Sequence, residues 1–302
     1  MTDATPGVVG TSPHRGGGLG RVTGQQAYVA DLAIPDALHV KLVTVDAARA
    51  RIRAIDPSAA LALPGVRAVF TAADLPTPMP RFGPQMRDRP VIAGDETKFH
   101  GDPVAAVAAD TRDAAEAAAA LVRVDFEPLP AVTSIAACLA PDAPLVQDPS
   151  IRPDDPRAET NVLREHRYGW GDLTAAEAEA ECIVEGTYAF PMVTQFAIEP
   201  HAWMAAPDGD GIVVWSAIQH PYWLQRVIAS LLDLPLSKVR IFAPDPGGAF
   251  GGKQHAKYEP LLAFMALRLG RPVRLVLTLE ETFQAVRRGA SEIRFRSGFR
   301  RD

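Results

Sequence analysis

The sequence predicts an α+β protein in two parts, and three observations carry that prediction. Short runs such as Leu38–Val45 alternate apolar and polar residues, as half-buried strands require. Longer windows with helical spacing lie between such runs and end at Gly or Pro. A stretch rich in proline and acid, residues 133–165, separates the two sets.

Residues 1–19 are rich in Gly, Pro, Ser and Thr and read as a flexible N-terminus. In residues 20–132, Leu38–Val45 is the first strand expected. Val66–Thr71 follows a Pro-Gly turn and reads as a second. Pro103–Ala109 is apolar throughout and reads as a buried strand. Asp113–Val122, mostly alanine, reads as a helix capped by Asp110 or Thr111. Val122–Glu127 returns to strand and stops at Pro128. Residues 133–165 carry prolines at 141, 144, 149, 153 and 156 and read as an extended connector. In residues 166–302, Ala180–Tyr188, Ile212–Ala217, Lys238–Phe242 and Val273–Thr278 read as strands. Tyr222–Leu232 and Tyr258–Leu269 read as helices, the latter closed by Gly270-Arg271-Pro272. Ile293 and Phe295 alternate with arginines in a last strand.

Composition narrows the function. The chain is 47% hydrophobic and 22% charged with a net charge of −5, which suits a globular enzyme part and argues against a nucleic-acid footprint. No apolar run has the length of a membrane span, and residues 1–20 do not read as a secretory signal. Cys138 and Cys182 lack the spacing of a zinc or iron–sulfur site and read as reduced thiols of a cytoplasmic protein.

The most informative stretch is Asp245–Lys253, DPGGAFGGK. Four of the six residues from Gly247 to Gly252 are glycine, and such a loop can lay bare N–H groups against a ligand. Two phosphate loops fit it badly. The dinucleotide fingerprint needs G-x-G-x-x-G, and the order here is G-G-A-F-G-G. The P-loop spacing from Gly247 to Lys253 is present, but Gln254 stands where the metal-binding hydroxyl belongs.

This loop resembles the G-G-x-F-G-G-K signature of the molybdenum hydroxylases, the xanthine dehydrogenase and aldehyde oxidase family. Glu199-Pro200-His201 resembles the segment that family carries about fifty residues earlier, and Trp215–His220 resembles the segment that supplies a glutamine near the metal. Gly270–Leu275 with Glu280-Glu281 matches the following helix exit and strand. Arg21–Gly24, Leu63–Val66 and Gly101–Ala105 match the front of the family's large chain. The resemblance spans residues 19 to 300, in order. It implies an N-terminal α/β hammerhead domain, residues 20–132, followed by the first part of a mixed α/β molybdopterin-binding domain, residues 166–302, truncated. The family's large subunits are more than twice as long, so the expected catalytic base, a late glutamate, lies beyond Asp302. A truncated gene product and a split subunit both fit.

By resemblance, Phe250 and Gly251 abut the metal's oxygen ligands, with Gly248 in the same cofactor-binding loop; the alternative is a tight turn. Gln219 would hydrogen-bond an oxygen ligand of the metal, against an alternative as a capping amide. His220 reads as a helix-start surface residue. Glu199 and His201 suggest a metal pair, yet no third ligand accompanies them, and a buried structural network is the better reading. Gln254 replaces a glutamate that purine-oxidising relatives use toward substrate, so xanthine specificity is in doubt. The arginines at 287, 288, 294, 296, 300 and 301 read as a solvated strand face.

The resemblance implies oxidation of an N-heterocycle or aldehyde with water-derived oxygen at a molybdenum–pterin group, in its plain or cytosine dinucleotide form. Iron–sulfur and FAD partners would take the electrons, and another chain would complete the domain. An inactive truncated fragment and a phosphate- or nucleotide-binding module using the glycine loop are the alternatives.

Overall fold

The computed structural model describes residues 9–301, so residues 1–8 of the expected flexible N-terminus and Asp302 lie outside the described residues. The strands are β1 (Leu38–Val43), β2 (Ala50–Asp56), β3 (Val66–Thr71), the two-residue β4 (Arg81–Phe82), β5 (Arg89–Pro90) and β6 (Glu96–Thr97), β7 (Ala105–Ala109), β8 (Arg123–Pro128), β9 (Cys182–Phe190), β10 (Ala202–Asp208), β11 (Gly211–Ser216), β12 (Val239–Phe242), β13 (Val273–Val276) and β14 (Ser291–Phe299). The helices are α1 (Gly18–Val22), α2 (Ser58–Leu61), α3 (Arg112–Ala119), α4 (Ile135–Leu139), α5 (Leu173–Glu179), α6 (Pro221–Leu232), α7 (Glu259–Leu269) and α8 (Leu279–Ala285).

One seven-stranded sheet, ordered β12-β11-β10-β13-β1-β7-β3, takes strands from both sequence regions. The join is the parallel pair β1–β13, with Leu38 opposite Val273 and Val40 opposite Leu275. Because side chains alternate across a strand, Leu38, Val40, Leu42, Val273 and Leu275 all point to one face. There they meet Leu261, Leu262 and Met265 of α7 and Leu224 and Ile228 of α6 in the main core. The opposite face is covered in two places. Val43, Ala105 and Val107 pack with Ala118 of α3 at one end. Ala202 and Met204 pack with Val29 and Ala217 at the other.

Local chemistry explains most element boundaries. Thr111 caps α3 by accepting from Ala114 N–H at 3.2 Å. Asp110 instead receives both arms of Arg67, at 2.9 and 2.5 Å. Gly270 closes α7 in the left-handed conformation, φ 61°, where glycine carries no Cβ penalty. Between residues 133 and 165 the chain holds α4 and folds on itself around Asn161, which accepts from Val146 N–H and donates to the carbonyls of Cys138 and Pro144.

Several elements have no counterpart in the sequence reading, β2, β10 and α8 among them. Strand β2 shows little alternation because its register against β8 shifts between Ile52 and Ala54, as a bulge does. Strand β10 is buried from Ala202 to Ala206; with neighbours on both sides and both faces covered it has no polar face to alternate. Glu280 and Glu281 sit in helix α8, not in a strand, because Thr278 and Glu281 form a capping box.

Because β1 and β13 share one core, Leu275→Ala is expected to cost about 2–5 kcal/mol and to leave a single unfolding transition. Denaturant melts followed at Trp203, itself in that core, and by backbone ellipticity check this; separate transitions by the two probes refute a shared core.

Candidate functional site

The glycine loop leaves β12 and lies against residues 195–201, at the end of the sheet where β10 begins and β11 ends. Its base is held by a buried ion pair. Lys253 Nζ donates to Glu199 Oε2 at 2.5 Å and to the Glu199 carbonyl at 3.2 Å, with both side chains about 5% exposed. The same Oε2 accepts from Gly247 N–H at 2.7 Å, and Glu199 N–H donates to the Gly247 carbonyl at 3.2 Å. One carboxylate therefore ties both ends of the loop to the strand entry. Charges this deeply buried are tolerated only when so paired and hydrogen-bonded. Gly247 is needed for that closeness, since a Cβ there would sit 2.6 Å from Glu199 Cβ.

The crest of the loop behaves differently. Gly248, Phe250 and Gly251 all have positive φ, 107°, 49° and 83°. For a phenylalanine that conformation is sparsely populated and strained, and the Phe250 ring is 75% exposed. A Cβ on Gly251 would meet nothing within 4 Å, so the backbone there is open to an approaching group. The crest is shaped by two turns, Gly252 N–H to the Ala249 carbonyl at 2.7 Å and Gln254 N–H to the Gly251 carbonyl at 3.3 Å. Beside it Phe196 also has positive φ, 50°, and is exposed, with its ring edge-on to Phe283 at 5.6 Å.

Gln219, at the exit of β11, donates its N–H to the Lys253 carbonyl at 2.8 Å and is exposed. The structure thus brings Gln219 and the glycine loop together from positions far apart in sequence. Gln254 is half-buried one turn past the crest. His220 is the exposed N-cap of α6 and makes no side-chain cap.

His201 lies beneath the loop, with Nε2 3.3 Å from the Gly252 carbonyl. Burial, then Lys257 and Lys253, lower its pKa to about 3, so it is neutral at pH 7. Burial also lowers Lys257 to about 8, against the opposing pull of Glu259. Glu259 accepts from Ser216 Oγ at 2.8 Å and from Lys257 N–H at 2.7 Å. These groups line a cavity of only about 10 Å³, too small for an organic ligand. Among the described residues no three His, Cys, Asp or Glu side chains are placed to hold a metal ion. Glu199 and His201 have separate partners, Glu199 with Lys253 and Gly247 and His201 with the Gly252 carbonyl.

Residues 23–130 match the family model for the aldehyde oxidase and xanthine dehydrogenase a/b hammerhead domain, and residues 154–302 match that for the molybdopterin cofactor-binding domain. The chain belongs to the xanthine dehydrogenase and aldehyde oxidase family of molybdenum hydroxylases. It is 31% identical over 283 residues to a probable xanthine dehydrogenase chain of Bacillus subtilis, covering 93% of this chain and 36% of that protein. It is 30% identical to the nicotinate dehydrogenase large molybdopterin subunit of Eubacterium barkeri, covering 91% of this chain and 62% of the relative. Its fold superposes on the aldehyde oxidoreductase of Desulfovibrio gigas with a TM-score of 0.82 at 28% identity, over 94% of this chain and 32% of that one. The chain thus spans between about a third and two thirds of the length of these proteins.

Within this molybdenum hydroxylase fold, two features escape a reading of the sequence alone. Lys253 matters as the partner of Glu199 rather than as a surface cation, and pairing across 54 residues leaves no local signal. Gln195 Oε1 is buried without a partner, beside Gly252, where a Cβ would approach it to 3.2 Å. Its position ahead of Glu199-Pro200-His201 is the one hint the sequence offers.

Glu199→Leu, which strands Lys253 in the interior, is expected to cost about 3–5 kcal/mol, and adding Lys253→Met should recover most of it. Chemical denaturation of the two variants checks this; a loss under about 1 kcal/mol for Glu199→Leu means the pair does not anchor the loop. A second expectation concerns pH. The His201 pKa is depressed from 6.5 to about 3 on folding, so between those values the unfolded chain binds the extra proton. Its contribution to stability is full above about pH 6.5 and declines as pH falls towards 3, by up to about 1.4 kcal/mol per unit. His201→Leu should flatten that slope in melts from pH 7 to 4; an unchanged slope assigns it to other groups.

Proposed function

We propose that this chain supplies one wall of the molybdenum–pterin site of a hydroxylase that oxidises an N-heterocycle or an aldehyde with water-derived oxygen. One observation carries the proposal: a strained crest, Gly248 to Gly251, with open backbone and an exposed Phe250, fastened from below by a buried ion pair and joined to Gln219. Preorganised donors on a rigid base suit a group on which negative charge develops. The residues fit the pterin-bound metal in kind, since the crest offers neutral N–H donors and no side-chain ligand competes with the pterin. When bound, that group, in its plain or cytosine dinucleotide form, supplies the redox chemistry.

The chain's own residues bind and orient. Gln219 presents an amide that donates without adding charge. Gly248 and Gly251 let the backbone approach closely, and Phe250 contributes an apolar face toward the reacting centre. Gln254 faces the substrate side, where a neutral amide lacks the charge-assisted hydrogen bond that a carboxylate would give xanthine. The catalytic base is expected from residues beyond Asp302 or from another chain.

A completing polypeptide, together with iron–sulfur and FAD partners, forms the rest of the proposed enzyme. Support comes from one face of the β9–β14 ribbon, which exposes Val184, Tyr188, Phe190, Ile293 and Phe299; contiguous apolar surface of this kind marks an interaction site. The two cysteines are free, with Cys182 exposed, which favours a cytoplasmic setting.

The deciding experiment co-expresses this chain with the polypeptide carrying the family's remaining motifs and measures molybdenum in the purified complex. Stoichiometric molybdenum, lost in Gly251→Val without loss of fold, is expected. A complex that forms without molybdenum sinks the reading and leaves an inactive fragment; saturable nucleotide binding by that molybdenum-free complex would instead favour a phosphate-binding module. In the active complex, Gln254→Glu should raise kcat/KM for xanthine by roughly 10- to 100-fold, as a charge-assisted hydrogen bond is worth about 1.5–3 kcal/mol. An unchanged ratio to aldehyde removes Gln254 from the substrate site.

A further inference from the structure

The face of the large sheet turned away from α6 and α7 carries one strip that neither satellite cluster covers. Strand alternation puts His39 and Lys41 of β1 and Arg274 of β13 on this face, since Leu38, Val40, Val273 and Leu275 point the other way. His39 and Arg274 are directly opposite in the β1–β13 register. They floor a cleft of about 270 Å³, walled by Arg112 and Glu116 of α3 on one side and by Ala30 on the other. A shallower cleft of about 480 Å³ continues past His39 and Arg274 toward Arg67 and Arg271.

The charges here are unequally spent. Lys41 pairs with Glu281 at 2.7 Å, and Arg112 pairs with Glu116 at 2.8 Å. Arg67 and Arg271 both engage Asp110. Arg274 is different: among the described residues it has no carboxylate partner. It donates once, from Nη2 to the Ala30 carbonyl at 2.8 Å, and its Nε is buried with no acceptor. A buried, charged donor without an acceptor is costly in a folded protein. His39 senses the same field, since burial, then Arg274 and Arg112, lower its pKa. In a chain of net charge −5, Lys41, Arg67, Arg112, Arg271 and Arg274 here face the acids Asp36, Asp110, Glu116 and Glu281, so the recessed floor keeps one cation, Arg274, without a carboxylate.

We propose that the cleft between α3 and residue 30, floored by His39 and Arg274, is a binding site for a small oxyanion, a carboxylate or a phosphate. The planar guanidinium of Arg274 receives the ligand's oxygens through the Nη donors that the Ala30 carbonyl leaves over, a planar cation that suits both anions. Arg112 adds a second cation at the rim. His39 contributes a donor from its neutral ring. The volume admits a small ligand of a few heavy atoms rather than a peptide or a nucleotide. The site does not depend on the cofactor reading: it lies on β1 and β13, and none of its residues belongs to the glycine loop.

Titration calorimetry of the isolated chain with inorganic phosphate, and separately with succinate, tests it. Saturable binding of at least one anion is expected, and whichever binds identifies the chemistry. Arg274→Gln should weaken that binding by roughly tenfold or more, while Lys238→Gln, just before the edge strand β12, should leave it unchanged. If Arg274→Gln fails to fold, Arg112→Gln, whose side chain is exposed, carries the test with an expected loss of roughly threefold. Binding of neither anion below about 10 mM overturns the proposal. So does binding that Arg274→Gln and Lys238→Gln affect equally, since that is diffuse attraction to the surface.

Discussion

The parallel pairing of β1 with β13 is the constraint on which most of this structure rests. It joins a strand near residue 40 to one near residue 275, so strands from either side of the central connector share one sheet and one core. Closing so long a loop has an entropic cost that grows only slowly with length, and the burial of Leu38, Val40, Val273 and Leu275 against α7 offsets it. The same pairing puts β10 beside β13, and so the start of β10 and the end of β11 at one end of the sheet, where the glycine loop arrives. It also places His39 beside Arg274 on the far face. Both clusters of polar chemistry are products of one strand contact.

At the sheet end, rigidity and strain are divided between the base of the loop and its crest. The base is densely bonded: Glu199 holds Lys253 and Gly247, Gln219 N–H holds the Lys253 carbonyl, and His201 sits under Gly252. The crest is exposed and holds a phenylalanine in a conformation that side chains rarely adopt. Backbone strain persists only where the surroundings over-determine it, and here the buried ion pair does so. This is the arrangement a binding surface needs when the ligand contacts backbone, because the donors are aimed before the ligand comes.

The remaining surface follows the same economy. Exposed arginines of β14 and the residues just after it pair with glutamates on α5 and β9, Arg296 with Glu177 and Glu185 and Arg300 with Glu179. Arg288 lies 4.0 Å from the Phe190 ring. Exposed pairs of this kind contribute little stability each; here they border a two-stranded ribbon with an apolar stripe. The ribbon's own pairing is regular from Ser291 opposite Phe190 to Phe299 opposite Cys182, so its apolar side chains are displayed on a defined surface.

Much of this protein is determined by sequence alone. The order of the motifs carries the family, DPGGAFGGK marks the loop, and period and punctuation mark β3, β7, α6 and α7 to within a residue or two, because those signals are local. The capping pair Thr278 and Glu281 that starts helix α8 is a local signal too, although the match to the family's motif order puts Glu280-Glu281 with a strand. What only the tertiary structure decided is everything that depends on partners distant in the chain. Strand β10 lost its alternation because neighbours cover both of its faces, and β2 lost it to a bulge against β8. The pairing of Lys253 with Glu199, the positive φ of Phe250 and the isolation of Arg274 have no sequence signature either. Each follows from which segments the sheet brings side by side, and long-range pairing leaves no periodicity to read.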